Sequence, residues 1–329
     1  MLRRVVASLA SGVPLSVVLT PFASFAQQQQ PKVFKIGYLN LGFPESAKWA
    51  KDAFIQALRK LGYVEGKNLS VDLRFAEGNI DRLPALATAL TQQEPDVLFA
   101  ANAAASVALK NATSKIPVVF ATVSDPISLG LVSSLGWPGG NVTGVSSMSV
   151  DLVAKRMQLL RESFPQLLRV AVLIGSDTNR RQVDEIQRGA KLLGLELLLI
   201  EIKQPDDYER SSTQLREWRA GAILATDSGF HVTYRKSLFD LAAKTRLPAM
   251  LPSILYVEDG GLMCYGADYV SQVQSAAGYV HKILNGAKPA DLPVEQATTF
   301  DLAINLKTAK ALGIKFPQSV LLRATKVIE

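Results

Sequence analysis

The stretch PVVFATVSDPISLGLVSSLGWPGGNVTG, residues 117–144, joins an apolar run to a turn and then to a second apolar run. Residues 118–123 carry no charge. That is how a strand reads when both faces of a parallel sheet are covered. Ser124-Asp125-Pro126 ends the run, and Trp137-Pro138-Gly139-Gly140-Asn141 forms a turn before 142–146. In open parallel sheets ligands bind beyond the carboxyl ends of the strands. A carboxylate placed there reads equally as a turn former or as a ligand contact.

Outward from this stretch, strand-like and helical runs alternate. Toward the amino terminus the spacing predicts strands at 35–39, 69–75 and 96–100. Helices are expected at 48–61, 83–92 and 103–112, with Asp81 as the N-cap of the second. After Gly144 the pattern restarts. Helices are expected at 151–164, 181–193, 206–218 and 234–244, and strands at 169–174, 195–202, 220–225 and 248–251. A strand at 261–266, a helix at 270–284, a strand at 300–304 and a helix at 307–312 complete the chain. The pattern gives two α/β units in series, each with a parallel sheet and helices on both faces.

The bulk numbers agree. The 329 residues are 48% hydrophobic and 20% charged, a globular composition with length for about two domains. The net charge of +7 is scattered along the chain, so nothing resembles the clustered stripe that nucleic acid requires. Arg3 and Arg4, an apolar run over 5–22 and Ser24-Phe25-Ala26 predict a secretory signal peptide over 1–26, cleaved after Ala26. Cys264 is the one cysteine and reads as core. His231 and His281 are too isolated for a histidine-based metal site, and no metal or cofactor is expected. The glycine-rich phosphate loops and the Gly-x-Ser-x-Gly elbow are missing, so the chain is expected not to be an enzyme.

The expected strand ends collect Asn40 to Ser46, Asn102 with Ala103, Ser124 with Asp125, Asp177 with Asn179, and Asp227 with Ser228. Tyr256 and Tyr265 lie close by in sequence. Carboxylates, small hydroxyls, helix starts and aromatic rings together suit a zwitterionic organic ligand. Helix N–H groups can receive a carboxylate, and an aspartate can receive an ammonium. Asp227 reads equally as a cap, Asn102 as a cap or a contact, and Tyr265 as core or a contact. Asp177 reads as a cap.

The chain resembles the ABC-transporter substrate-binding proteins, the family that includes tryptophan- and tyrosine-binding lipoproteins. The matching stretches are IGYLN (36–40), LGYVEGKN (61–68), RFAEG (74–78), DRLPALA (81–87), PVVF (117–120) with Asp125-Pro126, and PGGNVTG (138–144). GGLM (260–263) with Tyr265-Gly266, ILNGAKPADLPV (283–294) and NLKTAKALG (305–313) complete the set. The resemblance implies a type I periplasmic-binding-protein fold, two doubly wound parallel-sheet lobes joined by three crossing segments. It puts 32–145 plus 262–291 in lobe 1 and 146–258 plus 294–329 in lobe 2. It implies a monomeric periplasmic receptor that binds a small organic solute (an amino acid, or an aromatic or carboxylate compound) and hands it to an inner-membrane ABC permease. A ligand sensor for a membrane signalling protein is the alternative. Ligand contacts are implied at Asn40, Phe43, Asn102, Ala103, Ser124, Asp125, Asp227, Tyr256 and Tyr265. One departure is the alanine run around Asn102, which leaves a solute carboxylate there to backbone N–H groups and Asn102.

Overall fold

The computed structural model describes residues 32–329. The expected signal peptide over 1–26 lies outside the described residues. The first half runs β1 (Phe34–Asn40), α1 (Lys48–Lys60), β2 (Leu69–Phe75), α2 (Leu83–Thr91), β3 (Val97–Ala100), α3 (Ala103–Ala112), β4 (Val118–Val123) and β5 (Val142–Ser146). The second runs α4 (Val153–Ser163), β6 (Arg169–Gly175), α5 (Arg180–Leu193), β7 (Glu196–Ile202), α6 (Asp206–Glu217), β8 (Ala222–Ala225), α7 (Gly229–Thr233), α8 (Arg235–Thr245), β9 (Ala249–Leu251), α9 (Ile254–Glu258) and β10 (Met263–Gly266). Then come α10 (Tyr269–Leu284), β11 (Glu295–Gln296), β12 (Asp301–Asn305), α11 (Leu306–Leu312), α12 (Gln318–Leu321) and β13 (Lys326–Ile328).

Two sheets result, ordered β11-β5-β4-β3-β1-β2 and β13-β12-β10-β9-β8-β6-β7. Every pairing is parallel except β10 with β12. In each sheet the winding reverses next to its first strand, between β1 and β3 and between β6 and β8. Those two switch points are where an open sheet leaves a crevice for a ligand. β4 is buried along its length apart from Thr122. The α1 and α10 helices cover one face of the first sheet, where Phe54 stacks on Phe99 with ring centroids 4.0 Å apart. Burial of each such ring contributes about 2 kcal/mol. Gly194 closes α5 in the left-handed region at φ 65°, the conformation that makes glycine the usual helix stop.

The structure departs from expectation in three places. Asp81 does not cap α2. It lies within a single 3-10 turn, and the Asn79 side chain accepts from the Asp81 N–H instead, because Asn79 has the extended backbone that capping needs. The strand at Met263–Gly266 is expected in the first lobe with the rest of 262–291. It pairs instead with β9 and β12 in the second sheet, and the chain returns to the first lobe at α10. Glu295 and Gln296 are expected in the second lobe and pair instead with β5 in the first sheet. The chain therefore passes between the sheets at 147–152, 267–268 and 297–300.

Candidate functional site

A cleft lies where the carboxyl ends of the two sheets face each other, with about 610 Å³ of atom-free space counting its mouth. Asn40 comes from the end of β1, Gly42 from the loop after it and Trp49 from the first turn of α1, and the start of α3 supplies Asn102 and Ala103. Thr122 and Ser124 come from the end of β4. From the other side come Asp177, Asn179, Asp227, Ser228 and Thr233, and Tyr269 stands at the start of α10. Both switch points open into this one space.

Asn40 and Asn102 fix each other. Asn40 Oδ1 accepts from the Gly42 N–H at 2.7 Å and from Asn102 Nδ2 at 3.3 Å, and Asn40 Nδ2 donates to the Tyr38 hydroxyl at 3.2 Å. Asn102 Oδ1 caps α3 by accepting from the Ala105 N–H at 3.0 Å. That leaves the first N–H groups of α3, at Ala103 and Ala104, without an intrahelical acceptor. They form a positive helix end suited to an anion.

Among the described residues two acids line the cleft, and no Lys, Arg or His does. Asp177 is spent on structure. It accepts from the Gly229 and Phe230 N–H groups at 2.9 and 3.2 Å and from the Ser228 hydroxyl, capping α7. Asp227 accepts from the Tyr269 hydroxyl at 2.5 Å and from Ser147 Oγ at 3.1 Å, and its own N–H donates to Gln182 at 2.8 Å. Burial pushes the Asp227 carboxyl above the usual carboxylate range, opposed by the Tyr269 hydroxyl, the Arg156 charge and two serine hydroxyls. Its charge is therefore costly to hold alone, and a cation in the cleft would relieve that cost. Two rings, Trp49 and Tyr269, stand 6.2 Å apart and 31° from parallel. The buried Trp49 Nε1–H has no acceptor among the described residues.

The lobes touch around the cleft. Arg181 of α5 donates to Asp125 at 2.7 Å, and Asn179 donates to the Ser128 hydroxyl at 2.5 Å. Arg235 donates to the Ser46 carbonyl at 3.2 Å. Phe43 meets Tyr234 edge-on at 6.0 Å.

Of the residues expected at the site, Asn40, Asn102, Ala103, Ser124 and Asp227 line the cleft. Phe43 does not, since its ring is packed on Tyr234. Asp125 does not either. Thr122 has φ 55° and sits where the β4–β5 register shifts, so Thr122 and Ser124 face the cleft while Asp125 turns to Arg181 and the Ser128 N–H. Tyr256 is fully buried in the core. Tyr265 packs its ring on Phe300 and gives only its carbonyl, to Arg156. Trp49, Thr122 and Tyr269 join the site without a mark in the sequence reading. Tyr269 comes directly after Asp268, a clear N-cap in the sequence. A crossing placed seven residues too early hides it.

The family model described as "ABC transporter substrate binding protein" matches residues 44–328. A "Tyrosine-binding protein" of Clostridioides difficile (strain R20291) is 28% identical over 283 residues, 85% of this chain and 81% of that protein. An ABC domain from Streptococcus pneumonia in complex with L-Trp is 27% identical, superposes with a TM-score of 0.81, and covers 90% of this chain and 100% of its own. The ligand-free, open structure of a substrate binding protein with adhesive properties from Clostridium difficile is 26% identical but superposes with a TM-score of only 0.63, over 90% of this chain and 99% of its own. At nearly equal identity, this chain superposes more closely on the tryptophan complex than on the open structure. The lobe-to-lobe bonds described above agree with a closed cleft.

Proposed function

This chain belongs to the family of ABC transporter substrate binding proteins, and on that premise we propose that it closes on a zwitterionic solute and delivers it to an inner-membrane ABC permease. The solute is an amino acid with an aromatic or other apolar side chain, taken up outside the cytoplasm. One observation carries this reading: the cleft holds the Asp227 carboxylate and the start of α3, whose Ala103 and Ala104 N–H groups have no intrahelical acceptor, and no cationic side chain among the described residues. Asp227 receives the ammonium. The Ala103 and Ala104 N–H groups, with the indole N–H of Trp49, receive the carboxylate. Trp49 and Tyr269 supply apolar surface for the side chain. The alanines around Asn102 remove side-chain hydroxyls but not the backbone donors, so a carboxylate site survives there. The tyrosine-binding relative and the L-Trp complex support the same solute class.

Thermal-shift screening of the L-amino acids, followed by isothermal titration, tests the proposal. L-Tryptophan or L-tyrosine should stabilise the protein. Tryptamine, lacking the carboxylate, and indole-3-propionate, lacking the ammonium, should each bind much more weakly. A screen in which no amino acid stabilises the protein would sink the reading.

A further inference from the structure

Arg156, on α4, is 2% exposed. Its guanidinium donates to the Tyr265 carbonyl at 2.6 Å, the Ser149 carbonyl at 3.0 Å, Ser149 Oγ at 2.7 Å and the Pro252 carbonyl at 3.3 Å. Among the described residues no carboxylate touches it. A buried cation held only by neutral acceptors is expensive. The acid whose charge offsets it most is Asp227. Ser149 is the link: it stands two residues after Ser147, whose hydroxyl donates to the Asp227 carboxylate at 3.1 Å, and its own hydroxyl favours the charged form of that carboxylate.

The chemistry of that link is one-directional. A guanidinium can only donate, so Arg156 occupies a lone pair of Ser149 Oγ and leaves the single O–H of Ser149 free to point at Asp227. Arg156 thereby polarises the Ser149 hydroxyl toward the Asp227 charge. Ser147 and Ser149 both belong to the first passage between the sheets, and Tyr269 stands just after the second. The carboxylate facing the cleft is thus tied to both. The other titratable groups around Asp227 are Tyr269 from α10, Tyr256 from α9 and Asp177 across the cleft floor, and none of them is a cation.

We propose that Arg156 is a positioning residue for the solute: from beneath the cleft, without touching the ligand, it acts through Ser149 to keep the Asp227 carboxylate oriented and charged for the solute's cationic group. This rests on the reading of Asp227 as the ammonium site. The ligand-free protein gives a test that does not depend on that reading. The 13C signal of the Asp227 carboxyl, identified by its loss in Asp227→Asn, is followed through a pH titration. In Arg156→Met and in Ser149→Ala its midpoint should rise by about half a pH unit or more, whereas Arg156→Lys should restore much of the wild-type value. Should Arg156→Met not fold, Ser149→Ala decides. In the same variants L-tryptophan should bind several-fold more weakly at neutral pH and indole-3-propionate no differently. An Asp227 midpoint unmoved in Ser149→Ala overturns the proposal. A midpoint that moves in a protein binding no amino acid upholds the Arg156 link and overturns the solute reading instead.

Discussion

Arg181 of the second lobe donates to Asp125 of the first at 2.7 Å, so the two lobes are joined by a charged pair that lines no part of the cleft. Asp125 is 6% exposed and Arg181 47%. Burial alone would push the Asp125 carboxyl up, but hydrogen bonds from Arg181 and Ser128 outweigh it and hold it below the usual range. The pair forms only when the lobes are together. A bond of this kind acts on the opening step, and hence on release of the solute more than on its capture.

Arg181→Ala should therefore speed solute dissociation while leaving association nearly unchanged. With one partner half exposed, the pair contributes about 1 kcal/mol, or roughly fivefold in the dissociation rate. The difference from wild type should shrink in about 1 M salt. Stopped-flow tryptophan fluorescence with L-tyrosine reads both rates. Equal dissociation rates for variant and wild type would mean that the pair does not hold the lobes closed.

Asp227→Asn keeps the shape of the side chain and removes its charge. Affinity for L-tryptophan should drop by about 2 kcal/mol or more, the scale of a charge-assisted bond in a closed site, while indole-3-propionate should bind as before. Because burial holds the Asp227 carboxyl above the ordinary range, acidification should weaken wild-type binding earlier than for a free carboxylate. Protonation there removes the charge that attracts the ammonium. Isothermal titration at several pH values checks both points, and an affinity that is flat in pH would place the ammonium elsewhere.

Much of this is legible in the residues. The uncharged run of β4 and the Gly194 stop of α5 each announce their element, because burial on two faces and a left-handed helix end leave local marks. Asn102 at the start of α3 and Asp227 after β8 stand just past the carboxyl ends of strands, where an open sheet holds its ligand. Asp125 occupies the same kind of position and yet points away, since a bulge at Thr122 that exchanges which residues face the cleft leaves no trace in composition. The pairing of β10 with β12 joins Met263 to Ile304 across a long stretch of chain, and no local pattern encodes such a choice. Trp49 sits one residue into α1, where helical spacing alone reads it as packing.

His231 makes stability depend on pH. Its Nε2 lies 3.0 Å from the Leu173 carbonyl, which can only accept, so Nε2 carries the proton and Nδ1 accepts from the Tyr208 hydroxyl at 2.6 Å. Burial pushes the imidazole down to about 4, although the Leu173 carbonyl favours the charged ring. In the unfolded chain a histidine titrates near 6.5. Between these values the unfolded chain binds a proton that the native protein does not, so stability is full above about pH 6.5 and falls as the pH drops, by up to about 3 kcal/mol near pH 4. Urea unfolding at pH 7.5 and 4.5 should show this loss, and His231→Gln should flatten it. A variant as pH-sensitive as wild type would assign the loss to other groups.

Gly266 ends β10 just before the second passage between the sheets, and a Cβ there would lie 1.8 Å from the Pro252 carbonyl oxygen and 3.2 Å from Arg156 Nη2. The obstacle is backbone that also anchors the Arg156 guanidinium, so it cannot swing aside as a flexible side chain would. Gly266→Ala must part the end of β10 from the chain after β9 and loosen Arg156 at once, for a cost of about 3 kcal/mol or more. Gly278 in α10 is the matched control, with open space where its Cβ would stand. There alanine removes only the entropy penalty of a helical glycine and should stabilise by about 0.5–1 kcal/mol. Urea midpoints of the two variants should move in opposite directions. If Gly266→Ala unfolded at the wild-type midpoint, the close approach of Gly266 to Pro252 would not constrain the folded chain.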